Sequence, residues 1–376
     1  MLSEVRLRPK DGECVWKAVG MTILTGTRES TGNRPSSNNV SQKGANLNPI
    51  EIDSRDNIYS VAFLVDGEHI VSGDDKGMIR RWRIEDGKEV GTPMNTGSGV
   101  SGIAVSRDGK WAVSWAWSGM VSVWNVGNHS KVTEFKGHPH PHWVRAVDVS
   151  PNGTRIATGS DDSTVCVWSL STGRRLLDPF KHDNKVVAVK FSQGRPGSLI
   201  ATGTCDREAV RVYDGQTGRL LVEFPITVNS LGNQSLAWAS NNKQLFVVSI
   251  DGYIHGLDVS TGKSLSRWRP DMGLLGTVCI ALASNSTFIA VSAQSSVSFW
   301  DTTTHKKFEC ATHHAVSITS MAILSTYDLV AAGGKKITVH DLRDLLLSPY
   351  CNVSVFASNG EVPNDKLLLL AAPAVP

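Results

Sequence analysis

Three histidines at alternating positions are the first residues that could do chemistry, in the segment His138-Pro-His140-Pro-His142. Alternate side chains of a β-strand share a face, so three imidazoles on a strand would converge and could bind a metal ion. The two prolines instead favour polyproline II, in which three residues make one turn and alternate side chains diverge. We therefore expect a solvent loop here, with no metal ion and no other cofactor.

Other catalytic signatures fail on spacing. Thr261-Gly-Lys-Ser264 resembles the end of a phosphate loop, but Leu257 stands where the first glycine is required. The sequence contains neither the G-x-S-x-G nucleophile elbow nor the HExxH zinc motif. Its six cysteines include no CxxC pair, which leaves zinc ribbons and thioredoxin-like sites unsupported. These observations predict a protein that is not an enzyme.

Composition and charge restrict the class of protein. Of 376 residues, 40% are hydrophobic and 19% are charged, which is enough apolar material for a sizeable core and excludes a wholly disordered chain. The formal charge of +3, from 38 basic and 35 acidic residues, gives no argument for binding nucleic acid or a membrane surface. Because the N-terminus carries charges where a secretory signal needs an apolar run, we expect a cytoplasmic or nuclear protein.

One short pattern returns along the chain at a nearly constant interval. Each copy ends a strand-like run with an anchor residue, usually aromatic, and successive anchors are 40–45 residues apart. Self-similarity at such a period is the signature of a repeat architecture. The seven anchors are Trp82, Trp124, Trp168, Tyr213, Leu257, Trp300 and His340.

Each copy contains several short strands separated by turns. In the third copy, Val144–Val149 alternates in strand fashion and Ser150-Pro-Asn-Gly153 has the composition of a turn. Arg155–Thr158, Thr164–Trp168 and Arg174–Leu177 complete four short strands. Short strands with turns at this spacing predict an all-β array and not βαβ units.

The third copy, from Gly137-His138 to Val165-Cys-Val-Trp168, resembles a WD repeat, and the likeness extends over roughly residues 57–346. The resemblance implies a seven-bladed β-propeller of four-stranded blades. In that family the N-terminal strand usually completes the last blade, so residues 49–53 are the expected closing strand, with 352–356 as the rival. We expect a partly flexible N-terminal extension over 1–48, the propeller over 49–346 and a C-terminal tail over 347–376.

The resemblance also implies a buried hydrogen-bonded set of four side chains in each good repeat. The third copy alone matches at all four positions. Lys76 and Trp117 stand at the position of the aspartate in the first and second copies. The set in the third copy consists of His138, Thr158, Asp162 and Trp168, with His140 and His142 as alternatives for the histidine.

Two tryptophans in one turn suggest a working surface. In this fold the turn between the second and third strands emerges on the same face as the connections between blades. Trp115 and Trp117 lie in that turn of the second copy, and aromatic residues flanked by polar groups are common anchors of protein interfaces. Alternatively, Trp117 folds inward and Trp115 covers a neighbouring blade. The rest of the expected surface is His140, His142, Trp143, Asp74, Asp75, Lys76 and Asp161.

These features favour a non-enzymatic scaffold, a monomeric propeller within a complex, that presents one face to other proteins. One alternative is a substrate receptor of a cullin-RING ubiquitin ligase. Such receptors carry a short box that is similar to Val339–Arg343, where His340 replaces an aromatic residue and is followed by Asp341 and Arg343. Another alternative is a free-standing sensor or partner array of a STAND-type signalling NTPase system.

Overall fold

The protein is a ring of seven small β-sheets. The structure, a computed structural model, describes residues 49–138, 142–194, 199–205, 210–228, 234–270, 278–325 and 328–343. Within these ranges the secondary structure consists of 28 β-strands in seven four-stranded antiparallel sheets. The expectation of an all-β, seven-bladed propeller is confirmed. The extension 1–48, the segment 347–376 and the rival closing strand at 352–356 lie outside the described residues.

The strands follow the chain blade by blade. Blade 1 contains β2 (Ile58–Phe63), β3 (His69–Asp74), β4 (Met78–Arg83) and β5 (Met94–Asn95). Blade 2 contains β6 (Val100–Val105), β7 (Trp111–Ala116), β8 (Met120–Asn125) and β9 (Ser130–Lys136). Blade 3 contains β10 (Val144–Val149), β11 (Arg155–Ser160), β12 (Thr164–Ser169) and β13 (Phe180–Lys181). Blade 4 contains β14 (Val186–Phe191), β15 (Leu199–Thr204), β16 (Val210–Asp214) and β17 (Leu220–Phe224).

The remaining three blades have the same order. Blade 5 contains β18 (Leu236–Trp238), β19 (Gln244–Val248), β20 (Ile254–Asp258) and β21 (Lys263–Trp268). Blade 6 contains β22 (Ile280–Leu282), β23 (Phe288–Ala293), β24 (Ser296–Asp301) and β25 (Lys307–His313). Blade 7 contains β26 (Ser320–Ile323), β27 (Asp328–Gly333) and β28 (Lys336–Asp341), and its fourth strand is β1 (Ile50–Asp53).

Tight turns join the strands within a blade. In blade 3 the amide of Gly153 donates to the carbonyl oxygen of Ser150 at 2.8 Å, and Gly153 has a φ of 66°. Glycine adopts this left-handed conformation without the steric penalty that a Cβ brings. The turn predicted at Ser150–Gly153 is therefore formed by the residues whose composition indicated it.

The hydrophobic core lies between blades and not within one. Each of seven buried clusters joins side chains of two successive blades, including the pair formed by blades 7 and 1. Between blades 3 and 4, for example, Val165 and Phe180 pack with Phe191 and Ile200. A single blade cannot bury its two faces alone, so the apolar surface of each blade is covered only when the ring is complete.

The ring closes through the N-terminal strand of the described chain. β1 pairs antiparallel with β28, so that Ile50 lies opposite Val339 and Ile52 opposite Ile337. Ile52 is buried with the core of blades 7 and 1. Because β1 belongs to blade 7 while the next residues begin blade 1, the closing contact joins distant parts of the sequence and protects the strand edge of the last blade.

Candidate functional site

The hydrogen-bonded set of blade 3 runs through four side chains. The indole Nε1 of Trp168 donates to Oγ1 of Thr158 at 2.9 Å, and Thr158 Oγ1 lies 2.8 Å from Nε2 of His138. His138 Nδ1 lies 2.9 Å from Oδ2 of Asp162. The neutral tautomer with the proton on Nδ1 satisfies every member, because each group donates to the next in one direction.

The environment of this set is structural and not catalytic. The histidine side chain has no exposed surface and Thr158 is fully buried, so a substrate could not reach the hydroxyl. Burial would raise the pKa of Asp162, but hydrogen bonds from His138 and Thr164 outweigh it and hold that pKa below its ordinary value. The carboxylate is therefore a charged acceptor that holds the turn.

The other blades keep parts of the arrangement. Trp82 and Trp124 donate their indole N–H to Ser72 and Ser114 at 2.8 and 3.0 Å. In blade 4 the hydroxyl of Tyr213 lies 3.4 Å from Nε2 of His182. Asp206, which in this blade stands at the position of Asp162, lies outside the described residues.

The second blade corrects the position assigned to Trp117. Trp115 lies opposite Gly102 in the same register that places Gly159 opposite Ala146. Trp117 is therefore equivalent to Asp161, which lies one residue before the aspartate of the hydrogen-bonded set. The alternative in which Trp117 folds inward, in place of that carboxylate, does not occur. Trp117, the equivalent of Asp161, carries its side chain on the surface of the ring.

Trp115 is a core residue. It is 4% exposed and packs in the cluster between blades 2 and 3, whereas the equivalent residues in blades 1, 3 and 4 are glycines. A Cβ added at Gly102 would lie 2.0 Å from Cζ2 of Trp115, so this glycine makes the space that the indole occupies. The structure therefore removes Trp115 from the surface that the sequence analysis expected.

Backbone contacts place the second-to-third-strand turns and the connections between blades on one face. The amide of Asp75 donates to the carbonyl of Asn57 at 3.0 Å, and the amide of Trp117 donates to that of Gly99 at 3.0 Å. Each turn is thus held beside the connection that enters its own blade. Large side chains from several blades meet on this face.

Exposed aromatic residues form an arc over blades 1 to 3 on this face. Trp117 is 47% exposed, and its ring meets that of Tyr59, 38% exposed, edge to face with centroids 5.4 Å apart. Trp143 is 45% exposed and lies under the guanidinium of Arg145, 5.0 Å from its ring centroid. We call Tyr59, Trp117, Trp143 and Arg145 the aromatic surface.

Local contacts fix Arg145 and bring the two halves of the aromatic surface together. Arg145 donates two hydrogen bonds of 2.8 Å to the carboxylate of Asp161, a bidentate arrangement that fixes the cation. His142 is exposed, and its carbonyl oxygen would lie 3.7 Å from a Cβ added at Gly119, in the turn that carries Trp117. The two halves of the surface are therefore neighbours across the boundary of blades 2 and 3.

The acidic turn of blade 1 is only partly exposed. Asp74 is buried, and its Oδ1 accepts the amides of Lys76 and Met78 at 3.0 and 2.9 Å. Burial raises the pKa of Asp74 above its ordinary value. Asp75 accepts a hydrogen bond from Asn57 at 3.1 Å, and Lys76 is exposed. Asp74 thus closes the turn, and Lys76 is available at the border of the aromatic surface.

Tyr59 and Arg145 were missed by the sequence analysis, as was Gly102. Tyr59 and Arg145 are both second residues of a blade's first strand, and this shared register position was the available signal. His140, which the sequence analysis included, lies outside the described residues.

The box at the end of blade 7 is divided between core and surface. His340 is 4% exposed, and burial lowers its pKa to about 4. Arg343 is exposed and its Nε donates to both carboxylate oxygens of Asp341 at 2.9 Å. Only the charged pair is therefore available on the surface.

Across the parts of the chain that the structure describes, no group of three or more His, Cys, Asp or Glu side chains could hold a metal ion. Over the same parts, no helix has the length and apolar character needed to span a lipid bilayer.

Comparison with protein families agrees with this architecture. The family model described as "WD domain, G-beta repeat" matches residues 50–83 and 129–169. The chain contains WD40 repeats. This confirms the resemblance seen in the sequence, and the two matched segments contain strands of blades 1 and 3, the latter with its complete hydrogen-bonded set.

Several curated proteins are similar to the repeat region. The small ribosomal subunit protein RACK1 of Caenorhabditis elegans is 29% identical over 156 residues, covering 39% of this chain and 46% of RACK1. Protein groucho of Drosophila melanogaster is 32% identical over 174 residues, or 44% of this chain and 22% of groucho. Apoptotic protease-activating factor 1 of Rattus norvegicus is 26% identical over 212 residues, or 55% of this chain and 16% of that factor. The chain thus spans less than half the length of each of these relatives.

Within the WD40 repeats the aromatic surface is divided. Tyr59 lies in the first matched segment, and Trp143 and Arg145 lie in the second. Trp117 lies between the two matched segments, at a position where blades 1 and 3 carry Asp75 and Asp161. The residue that joins the two halves of the surface is therefore outside the part of the chain that matches the family model.

Proposed function

We propose that this chain is a non-enzymatic scaffold whose aromatic surface binds a partner protein. The observation that carries the proposal is the arc of Tyr59, Trp117 and Trp143, three large aromatic side chains that remain 38–47% exposed on one face. Partly exposed aromatic residues with polar neighbours are the side chains that contribute most to protein interfaces. Lys76, Asp161 and His142 form the polar border.

The arrangement supports binding without large rearrangement. Trp117 packs on the backbone of Gly99, since a Cβ added there would lie 2.8 Å from Cε3 of the indole. Arg145 is held by Asp161 and covers Trp143. Side chains already fixed in position lose less conformational entropy when a partner binds, which favours affinity.

The names of two relatives agree with a role exerted through other macromolecules. One is a component of the small ribosomal subunit and one is a factor that activates a protease. We extend to this chain only the general role of a propeller that works by contact with other proteins.

The test uses Trp117→Ala and Tyr59→Ala, with Leu265→Ala as the matched control. Leu265 is 52% exposed on β21, the outer strand of blade 5, so its replacement also removes an exposed apolar side chain. Proteins captured by the wild type are identified by quantitative mass spectrometry, and binding of each purified candidate is then measured by calorimetry.

Replacement of an aromatic residue in the interface should weaken binding of the partner by roughly tenfold or more, the loss typical of a hot spot. Thermal stability should be unchanged, because Trp117 is half exposed. A partner bound equally well by Trp117→Ala and Tyr59→Ala, and weakened by the Leu265→Ala control, would contradict the proposal. Trp115 is unsuitable for this test because it is buried.

A second candidate function is adaptor binding through Val339–Arg343, favoured by the cation that Asp341 holds in place at Arg343. Arg343→Ala should reduce binding to a purified cullin-RING adaptor subunit by roughly tenfold if the pair forms the contact. Lys335→Ala is the control, because it removes an exposed cation just before β28, the strand that contains the first residues of the box. Equal adaptor binding by the wild type and Arg343→Ala would remove this candidate.

A further inference from the structure

Blade 7 lacks the hydroxyl at the centre of the hydrogen-bonded set. The anchor His340 pairs with a residue on the neighbouring strand β27, and Ala331 lies two residues after that partner. At the corresponding position blade 3 has Thr158 and blade 1 has Ser72. Ala331 is buried and has no polar side-chain atom. The anchor of blade 7 therefore faces a position that cannot supply the oxygen that Trp168 uses in blade 3.

Two buried imidazoles remain around this position. His314 is 5% exposed, and its amide donates to the carbonyl of Ser295, as the amide of His182 donates to that of Ser163 in the corresponding connection. Among the described residues, neither Nε2 of His314 nor Nδ1 of His340 has a hydrogen-bond partner. In blade 3 the equivalent Nε2 forms a hydrogen bond with the hydroxyl at the centre of the set. In blade 7 Ala331 stands in place of that hydroxyl, which accounts for the unpaired Nε2 of His314.

The same blade contains β1, the strand that closes the ring, and few side chains of β1 are buried. β1 has four residues, and of their side chains Ile52 alone is buried. Lys336 forms surface ion pairs with Glu51 at 2.9 Å and with Asp53 at 3.5 Å, and exposed pairs of this kind contribute little. Val339, the residue before His340 on β28, lies opposite Ile50 of β1, so the pairing that closes the ring ends next to His340.

We propose that blade 7 is an acid-sensitive latch, in which protonation of His314 and His340 releases β1 from β28 while the other blades keep their strands. The charge of a protonated imidazole is costly where the ring is buried away from water. Release of β1 lets water reach this part of blade 7, and β1 itself buries only the side chain of Ile52.

The direction of the pH effect follows from the two states. Burial and, to a smaller extent, the nearby His314 lower the pKa of His340 to about 4. Burial also lowers the pKa of His314, although the nearby backbone of Val316 and Lys336 opposes this. In the open state each imidazole regains a pKa of about 6.5. The closed form is therefore fully favoured above that pH and loses stability as the pH falls towards 4.

Other charged groups near the latch also titrate or act on it. Glu51 raises the pKa of His314 and Lys336 lowers it. The test is made at pH 5, above the ordinary pKa of a carboxyl group, about 4. The charged and titratable groups on the adjoining elements are Glu51 and Asp53 on β1, Asp328 on β27, Lys336 and Asp341 on β28, and His313 on β25.

Hydrogen–deuterium exchange of the full chain at pH 7.5 and pH 5.0, corrected for the intrinsic exchange rate, tests the latch. The opening equilibrium of peptides covering β1 and β28 should rise roughly 30-fold at pH 5.0, the ratio expected from a shift of one imidazole from about 6.5 to about 4. Peptides covering β11 and β12 should keep their protection over this range.

His340→Phe should abolish most of the acid response of β1, because phenylalanine fills a similar volume and does not titrate. His340→Leu is the second variant, since Leu257 occupies the equivalent position in blade 5. His182→Phe is the matched control: burial lowers the pKa of this blade 4 histidine to about 4 as well, but it lies away from the closure. The latch would be refuted by equal β1 protection at both pH values, or by an acid response of β1 that survives both His340→Phe and His340→Leu.

Discussion

Blades 3 and 7 bury a histidine in corresponding connections and give it different surroundings. In blade 3, His138 lies between a hydroxyl and a carboxylate, each within 2.9 Å of a ring nitrogen. In blade 7, His314 bonds backbone at Val316 through Nδ1, and its Nε2 has no partner among the described residues. The difference shows that the same type of four-stranded sheet is held by hydrogen bonds between side chains in blade 3 and by apolar packing and ring closure in blade 7.

The hydroxyl of the second strand decides between these two states. Thr158 accepts from the anchor and donates to the histidine, so one side chain satisfies two others. Loss of such a link leaves two buried polar groups and not one. Blade 7 also replaces the tryptophan anchor by His340, which is smaller and can carry a charge.

Removal of the blade 3 anchor should have the largest effect. Trp168→Ala deletes an indole that packs against Phe135 with ring centroids 4.8 Å apart and leaves Thr158 without its donor. We expect a loss of about 3 kcal/mol in the free energy of unfolding, measured by denaturant titration. His340→Ala is the blade 7 counterpart and should lose less, because the imidazole is smaller and lacks full hydrogen bonding. A smaller loss for Trp168→Ala than for His340→Ala would reverse the comparison.

Removal of the central hydroxyl should convert blade 3 towards the state of blade 7. Thr158→Val keeps the shape of the side chain but leaves Nε2 of His138 and the indole N–H of Trp168 unpaired. The expected loss is about 2 kcal/mol, from two buried groups that lose a partner. Calorimetric unfolding of the variant beside wild type measures it. An unchanged transition would show that the hydrogen bonds of this set contribute no net stability.

Neutralisation of the network carboxylate should cost less and should depend on pH. Asp162→Asn weakens the acceptor of His138, and we expect a loss of about 1–2 kcal/mol at pH 7. Despite burial, hydrogen bonds lower the pKa of this carboxyl in the folded state. Its stabilisation is therefore present above the unfolded pKa of about 3.9 and is lost as the pH falls through the folded value. Urea titrations at pH 7 and pH 3 should show the two proteins converging; a constant difference would contradict this assignment.

The smallest expected effect is a gain. Ala331→Ser places a hydroxyl in blade 7 at the position that Ser72 and Ser114 occupy in blades 1 and 2. One hydrogen bond to a buried imidazole should stabilise the fold by about 1 kcal/mol at pH 7.5. Thermal unfolding measures it, with Ala331→Val as a control that adds volume but no hydroxyl. A gain in the valine control and none in the serine variant would mean that packing, and not the missing hydroxyl, limits blade 7.

The repeat was predictable because its signal is local. The anchors Trp82, Trp124 and Trp168 each end a third strand, and the register confirms the order of strands around them. The anchor and the hydroxyl partner are 10 residues apart in each of these blades, so both lie within one hairpin.

The aromatic surface was only partly predictable. Trp117 and Trp143 were named from the sequence, but Trp117 was assigned to a position one residue away from the one that it occupies in the strand register. Tyr59 was missed because an aromatic residue at the start of a strand is compatible with either burial or exposure. Its exposure depends on the neighbouring blade, whose turn carries Trp117. Such a contact joins residues 58 positions apart, and no pattern within one repeat records it.

The amino-acid sequence by itself determined the number of blades, the strand order within them and, apart from the choice among three histidines, the residues of the complete hydrogen-bonded set. These follow from side chains that recur at a short interval and act within one sheet. The tertiary structure alone decided that Trp115 is buried while Trp117 is exposed, because the indole of Trp115 needs the space left by Gly102 on the facing strand. It also decided that blade 7 leaves two imidazole nitrogens without partners in the described chain, because that depends on which side chains meet when the ring closes.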